Sequence, residues 1–419
     1  LHLPPGLTGV LMCSPWGYEE LCARRSWRRL AEAIAETGAP CLRFDYPGTG
    51  DSLDRPDADL ETWVTATVTA AAALRQATGV QRLILLGQGL GGAVASLAAP
   101  RLDDVAGLVL MAPATSGRLH LRELAMWRAM VASSIRLPPG AQIGEGTGVA
   151  GFSLAPAVAA DLKRLDLLAA PPPAAEALIV ARPAAPQDGQ LADALQANGA
   201  QVARIDYDGY DALLTDPTMA VTPVAVIDQV AAWIGARTRH GGGRDRPRLE
   251  AALTGPHFTE TPVRFGGAAQ LFGVWCAPPG ERRGGVVLML NSGRDPHTGW
   301  ARVWVDQARA LAAQGIASLR IDAAGIGDSP ARPGAPDQTL YSDAQLADVR
   351  AAVDWLEPLG PVVLAGRCSG AYLGLDAAVA DPRVAGLVMV NPLRLVWRPG
   401  ESVDEAIRSA SLSHFRARI

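Results

Sequence analysis

"VVLAGRCSGAYLG", residues 362–374, reads as a buried strand, a Gly-x-Cys-x-Gly turn and a helix of small residues. Residues 83–96, "LILLGQGLGGAVAS", repeat that pattern with Gly89 in the place of Cys368. Gly87 and Gly366, the first glycines of the two turns, lie 279 positions apart. "LRFDYPGTGDS" from Leu42 and "LRIDAAGIGDS" from Leu319 are 277 apart, as are "GVLM" from Gly9 and "VVLM" from Val286. "VAGLVLMAP" from Val105 returns 279 positions later as "VAGLVMVNP" from Val384. Four matched blocks in one order mean a duplicated domain. The expected organisation is a first domain over 1–235, a linker over 236–257 and a second domain over 258–419. The join contains "ARTRHGGGRDRPR", residues 236–248, whose glycines and arginines suit a solvated linker.

Each unit alternates apolar, strand-like runs with helical periods. In the first, "GVLMCS", "APCLRFDY", "RLILLG", "GLVLMA", "EALIVAR" and "QVARIDY" read as strands. "RSWRRLAEAIAETG", "LETWVTATVTAAAALRQATG", "GGAVASLAAP" and "GQLADALQANG" read as helices. Continuous apolar strands separated by helices predict an α/β fold, a mostly parallel sheet covered on both faces. The second unit opens with two further strands, "HFTETPVRFG" and "QLFGVWCAPP", for which the first has no room before Gly9. Conversely, Ile419 corresponds to position 140 of the first unit, so counterparts of residues 141–235 are missing. Both units are therefore expected to be incomplete. A shortened reading frame explains this; completion of one unit by another across a homodimer is the sharper alternative.

With 419 residues, the chain suits two or three domains. About half of it is hydrophobic, and the net charge of -4 with scattered basic residues, "ARRSWRR" apart, gives no sign of nucleic-acid or anionic-membrane binding. No apolar run reaches the ~18 residues of a spanning helix, and no secretory leader is read. The sequence opens on Leu1 rather than Met, which leaves room for a longer natural N-terminus. The five cysteines are widely spaced, without CxxC or Cys/His metal spacing, which speaks against a disulfide scaffold or a zinc site and fits a reducing cytoplasm. No phosphate loop, metal cluster or other cofactor motif is found.

A strand, a Gly-x-nucleophile-x-Gly turn and a helix form a nucleophile elbow. Gly366, Gly370 and Ala371 keep the crowded positions small. The helix N-terminus is expected to stabilise a Cys368 thiolate and leave the sulfur partly exposed. The Ser369 N–H is one expected oxyanion donor; the loop "NSGRDPHTG" supplies the other, from Ser292 or Gly293. A buried packing cysteine is the bland alternative, and Ser369, one position off the apex, is the rival nucleophile.

On "GRCSGAYLG", "LRFDYPGTGDS", "LRIDAAGIGDS", "PWGYEE" and "NSGRDPHTG", the whole chain resembles α/β-hydrolases of the serine-aminopeptidase-like group. The first unit is similar to bacterial hydrolases associated with exosortase and exopolysaccharide gene clusters, some of which also carry Cys at the elbow. The resemblance implies an eight-stranded, mostly parallel sheet, a Ser/Cys–His–Asp triad and a cap between strands six and seven.

The first unit departs from that pattern. Gly89, flanked by Gly87 and Gly91, offers no atom to attack with. Asp188 in "ARPAAPQDG" fits the acid position, but Thr218 stands in "YDGYDALLTDPTMAVTP" where the family has His after "DP". A pseudo-enzyme is expected, its elbow empty and without a nearby His. A cap is expected at about 114–170, carried by residues 146–168. In the second unit, the matching acid and base fall past Ile419. His297, in the oxyanion loop, is a base only by departure from the family. His257 and His414 read as surface residues, Asp45 and Asp322 as loop and capping residues, and Asn391 as lining a pocket.

These features predict an enzyme in which Cys368 attacks a small-molecule or carrier-bound ester or thioester and forms an acyl-enzyme. Thioester hydrolysis and acyl transfer stay open. The alternative is a non-catalytic acyl-binding or scaffolding protein.

Overall fold

The computed structural model describes residues 7–134, 147–238, 252–267, 270–336, 339–392, 394–398, 400–403 and 405–406. By compactness the chain divides into one unit of Leu1–Thr215 with Ala220–Leu249 and another of Asp216–Met219 with Glu250–Ile419.

The first unit is built on β1 (Thr8–Cys13), β2 (Cys41–Phe44), β3 (Arg82–Gln88), β4 (Val105–Met111), β7 (Glu176–Ala181) and β8 (Gln201–Asp206). They form one parallel sheet in the order β2-β1-β3-β4-β7-β8. Side chains alternate across a strand, so Val10, Met12, Ile84, Leu86, Val109, Met111, Leu178 and Val180 gather on one face. That face is covered by α1 (Tyr18–Glu36), through Trp27, Leu30 and Ile34, and by α8 (Val224–Gly235), through Val226, Ile227, Val230 and Ile234. Burying a side chain of this size contributes ~1.5–3 kcal/mol. α2 (Leu60–Thr78) starts where the Asp59 carboxylate accepts the Thr62 N–H at 2.7 Å, and stops at Gly79, whose φ of 74° few other residues adopt. α3 (Leu90–Ala98) and α6 (Pro186–Ala197) complete the layers. The expected cap region holds α4 (Gly117–Ser134), a hairpin of β5 (Gly148–Val149) and β6 (Phe152–Ser153), and α5 (Pro156–Leu162); its residues 135–146 lie outside the described residues.

The second unit's sheet runs β15-β14-β12-β13-β11-β10-β9. Its strands are β9 (Leu253–Gly255), β10 (Phe258–Phe265), β11 (Leu271–Ala277), β12 (Val286–Met289), β13 (Ser318–Asp322), β14 (Val362–Arg367) and β15 (Val384–Val390). β13, β12, β14 and β15 are parallel and repeat the order β2-β1-β3-β4; β11, β10 and β9 continue antiparallel. α9 (Val303–Ala313), α10 (Asp343–Leu356) and α11 (Ser369–Ala380) flank it. β9 lies inside the expected linker, of which residues 239–251 are outside the described residues. Among the described residues the sheets therefore have six and seven strands, not the eight that the resemblance implied. Among the described residues the first sheet has no counterpart of β10 and β11, and the second none of β7 and β8. β15 is an edge strand of its sheet: Val388 and Val390 are 52% and 41% exposed, whereas Val109 and Met111, at the matching positions of β4, are 0% and 2% exposed.

Candidate active site

β14 delivers Cys368 to the mouth of α11 with φ 54° and ψ −118°; β3 delivers Gly89 to α3 with φ 54° and ψ −123°. The anchoring also repeats. The Cys368 N–H donates to the Val390 carbonyl and the Gly89 N–H to that of Met111, both at 3.0 Å. A positive φ is natural for glycine and strained for cysteine, so the surrounding contacts hold the thiol in place. The small neighbours are sterically required. A Cβ on Gly366 would lie 2.7 Å from the Ala371 nitrogen, and one on Gly87 2.6 Å from the Gly91 carbonyl carbon. On Gly370 it would strike the Asn291 carbonyl, and on Gly91 that of Cys13.

Cys368 is half-buried. Burial, the strongest influence, pushes its thiol above the ordinary value; the Ser369 N–H and the Arg367 charge pull it down, and Asp295 adds to the rise. The expected thiolate stabilisation by the helix N-terminus is therefore outweighed by desolvation. Ser369 is 2% exposed and its Oγ accepts the Gly293 N–H at 2.8 Å. This turns the serine hydroxyl away from a nucleophile's role and occupies the Gly293 donor. Ser292 accepts the Asp295 N–H at 3.0 Å, while its own N–H is unengaged among the described residues. Asp295 itself is buried, and its carboxyl is raised to about 7 by burial against the pull of Arg367, whose guanidinium donates to it at 3.1 Å. Beside the thiol stands an aromatic wall that the sequence did not announce. Tyr341, whose hydroxyl is pushed up by burial and by its nearness to Cys368, stacks on Trp397 at 4.3 Å and meets Tyr372 edge-on at 5.1 Å.

No described side chain hydrogen-bonds the thiol. His297 is fully buried with Nδ1 2.8 Å from Asp322 Oδ2 and its N–H on Oδ1. The Asp322 carboxylate also accepts the Asp328 N–H and the Asn291 amide, as Asp45 accepts the Asp51 N–H in the first unit, where Arg24 takes the histidine's part. The pair belongs to the loop after β13. His297, Asp322 and Asp328 do bring ligand atoms within 4.8 Å, but each Asp322 oxygen already accepts two hydrogen bonds, which leaves a cation little to bind. His257 is exposed, Asn391 is exposed, and His414 lies outside the described residues.

The first unit's elbow is not empty. A Cβ on Gly89 would overlap the Glu19 carboxyl, 2.8 Å from Cδ, so this side chain from the first turn of α1 fills the nucleophile's place. His120, in the first turn of α4, is 6% exposed. Asp188, fully buried in the acid position, is held by Arg182 through its N–H, Nε and Nη2 rather than by an imidazole. Thr218 donates its N–H to Asp216 at 2.8 Å, and residues 216–219 group with the second unit rather than with Gly89. A cavity of about 420 Å³ opens beside Arg182, where β7, β8 and α6 meet.

A family model of the α/β hydrolase fold matches residues 3–142, and one of serine aminopeptidase, S33, matches residues 283–413. No curated protein matches the chain. Among solved structures, Est1E from Butyrivibrio proteoclasticus with ferulic acid bound is 16% identical, with 56% of this chain and 90% of that one covered and a TM-score of 0.40. The metagenome-derived lipolytic enzymes LipS and LipT give 20% identity, 55% and 94% coverage and a TM-score of 0.35. A putative hydrolase from Agrobacterium vitis gives 18%, 56% and 88%, and 0.35. Among the described residues no helix is long and apolar enough to cross a membrane.

Proposed function

We propose that this chain, two α/β-hydrolase-fold units in tandem, is a hydrolase or acyltransferase whose second unit uses Cys368 on an ester or thioester. The observation that carries this is a cysteine held at φ 54° at the apex of the elbow, at the mouth of α11. The thiol must first lose its proton. The thiolate then attacks the carbonyl carbon, the oxyanion takes the Ser369 N–H, and the leaving thiolate or alkoxide departs with a proton. A thioester suits this nucleophile because attack exchanges one C–S bond for another. Water or an acceptor hydroxyl then takes the acyl group. The aromatic wall of Tyr341, Tyr372 and Trp397 offers an apolar side for the acyl chain.

The first unit carries no nucleophile at Gly89 and is read as catalytically silent in this reaction. A second reading, an acyl-binding protein without turnover, is favoured by the raised Cys368 thiol and by the lack, among the described residues, of a side chain hydrogen-bonded to it. Incubation with a short-chain acyl thioester of N-acetylcysteamine separates the two. An acyl mass increment on the intact chain, absent from Cys368→Ala, supports the enzyme. Saturable binding without an adduct supports the binding protein, and an equal adduct in Cys368→Ala sinks the role of Cys368.

A further inference from the structure

In both units the residue just before the elbow apex donates to a carboxylate carried on the adjoining strand's exit. In the second, Arg367 Nη2 donates to Asp295 Oδ2 at 3.1 Å. In the first, Gln88 Nε2 donates to Glu19 Oε1 at 3.0 Å. Asp295 and Glu19 each stand two residues past a glycine at positive φ, Gly293 at 58° and Gly17 at 69°. The strands they follow, β12 and β1, pair with the elbow strands β14 and β3. The tether is the same, but the lengths are exchanged. Glu19 is the longer acid on the shorter donor, and it reaches the place of a Cβ on Gly89. Asp295 is the shorter acid on the longer donor, and there the apex keeps the Cys368 side chain.

In the second unit the loop after β12 grips the elbow on either side of the thiol. Asp295 holds Arg367, and the Gly293 N–H donates to Ser369 Oγ at 2.8 Å. The Asn291 carbonyl lies where a Cβ on Gly370 would strike it. The loop is also braced within: Asn291 Nδ2 donates to the Asp295 carbonyl at 2.9 Å, and the Asp295 N–H to that of Ser292 at 3.0 Å. Asp295 is 3% exposed. A buried carboxylate that loses its partner is left uncompensated and is driven to turn toward water, which would carry the loop with it. That loop bears the N–H groups expected to complete the oxyanion site, and a misplacement of ~1 Å there can cost ~100-fold in rate.

We propose that Asp295 and Arg367 are a positioning pair for acyl transfer to Cys368, holding the loop after β12 against the elbow so that its N–H groups meet the oxyanion. The inference rests on the reading of Cys368 as the acyl-accepting nucleophile. The test compares two reactions of that thiol in the full chain at a pH of about 8.5, above the Asp295 value of about 7, so that the pair is charged. Acylation by a short-chain thioester of N-acetylcysteamine passes through an oxyanion and releases N-acetylcysteamine. Alkylation by iodoacetamide displaces iodide without one. Both consume the thiolate, so the ratio of their rates cancels any change in its population. Asp295→Ala and Arg367→Met should each lower that ratio by about tenfold or more, through the maximal acylation rate rather than the half-saturating thioester concentration. The double variant should lose no more than about twofold beyond either single one, because the pair acts as a unit. Arg367→Lys, which keeps a donor for Asp295, should stay within about threefold of the wild-type ratio. Arg367 is partly exposed, so its variants carry the test even where Asp295→Ala does not fold. Ratios within about twofold of wild type, losses that multiply in the double variant, or an Arg367→Lys ratio as low as that of Arg367→Met would overturn the pair's role while Cys368 is still acylated. A wild-type Cys368 that is alkylated but never acylated would overturn the nucleophile reading itself, and the pair's role with it.

Discussion

Gly89 and Cys368 share their backbone angles, yet only residue 368 has room for a side chain. The cause is Glu19, and it can be tested by substitution. Gly89→Ala adds a Cβ at positive φ into the Glu19 carboxyl, which should destabilise the first unit by ~1–3 kcal/mol. In a Glu19→Ala background the clash is gone and only the backbone strain is left, so the same substitution should cost less than half as much. Urea unfolding of the four chains of this cycle measures it; equal costs in both backgrounds would show that Glu19 does not fill the apex. The vacancy at Gly89 was legible in the sequence, because the repeat aligns it with Cys368. Its occupant was not. Glu19 lies in "PWGYEE", ahead of the helix read at "RSWRRLAEAIAETG", and no spacing rule connects a residue of α1 with a turn 70 positions away. His120 was missed for the same reason: a lone histidine entering a cap helix carries no signature until the fold sets it beside a carboxyl.

The strands of both units were legible from apolar runs between turn residues, and so were most helices. α1 begins at Tyr18, earlier than its periodic part suggested, because the polar residues of "YEE" join the helix and send Glu19 inward. What pattern reading could not supply is the pairing of charges within the layers. Glu260 on β10 is 2% exposed and accepts from Arg309 on α9 at 2.7 Å and from Arg320 on β13 at 2.6 Å. Arg320 is fully buried. In "HFTETPVRFG" this glutamate looks like any solvent-side strand residue. Removing one partner of a buried pair leaves an uncompensated charge and typically costs ~3–5 kcal/mol. Glu260→Gln should therefore destabilise the second unit by that order, seen as faster amide exchange across β10, β11 and β13. A loss below ~1 kcal/mol, the size expected of a surface pair, would mean that the network is not closed in solution.

Across the whole molecule, duplication explains why the same turn occurs twice. β2-β1-β3-β4 and β13-β12-β14-β15 have one order and one direction, as the matched blocks at offsets of 277 to 279 required. The sequence also placed the extra opening strands in one unit and the last two in the other. The environment of the thiol escaped it: a helix N-terminus suggested a lowered thiol pKa, whereas its burial and Asp295 act the other way. Position and accessibility at the elbow, rather than a depressed pKa, should therefore set Cys368 apart from the other cysteines. Cys13 and Cys276 are buried with thiols pushed to about 12, Cys22 is buried, and Cys41 is the informative rival, half-buried with its thiol also pushed to about 12. Alkylation by iodoacetamide, followed peptide by peptide by mass spectrometry, ranks all five without knowledge of the substrate. Cys368 is predicted to react first, stoichiometrically, at a rate that still climbs with pH above neutrality because its thiol titrates high. Slower labelling at Cys368 than at Cys41, or than at any of the other three, would contradict its role as nucleophile and mark it as a packing residue.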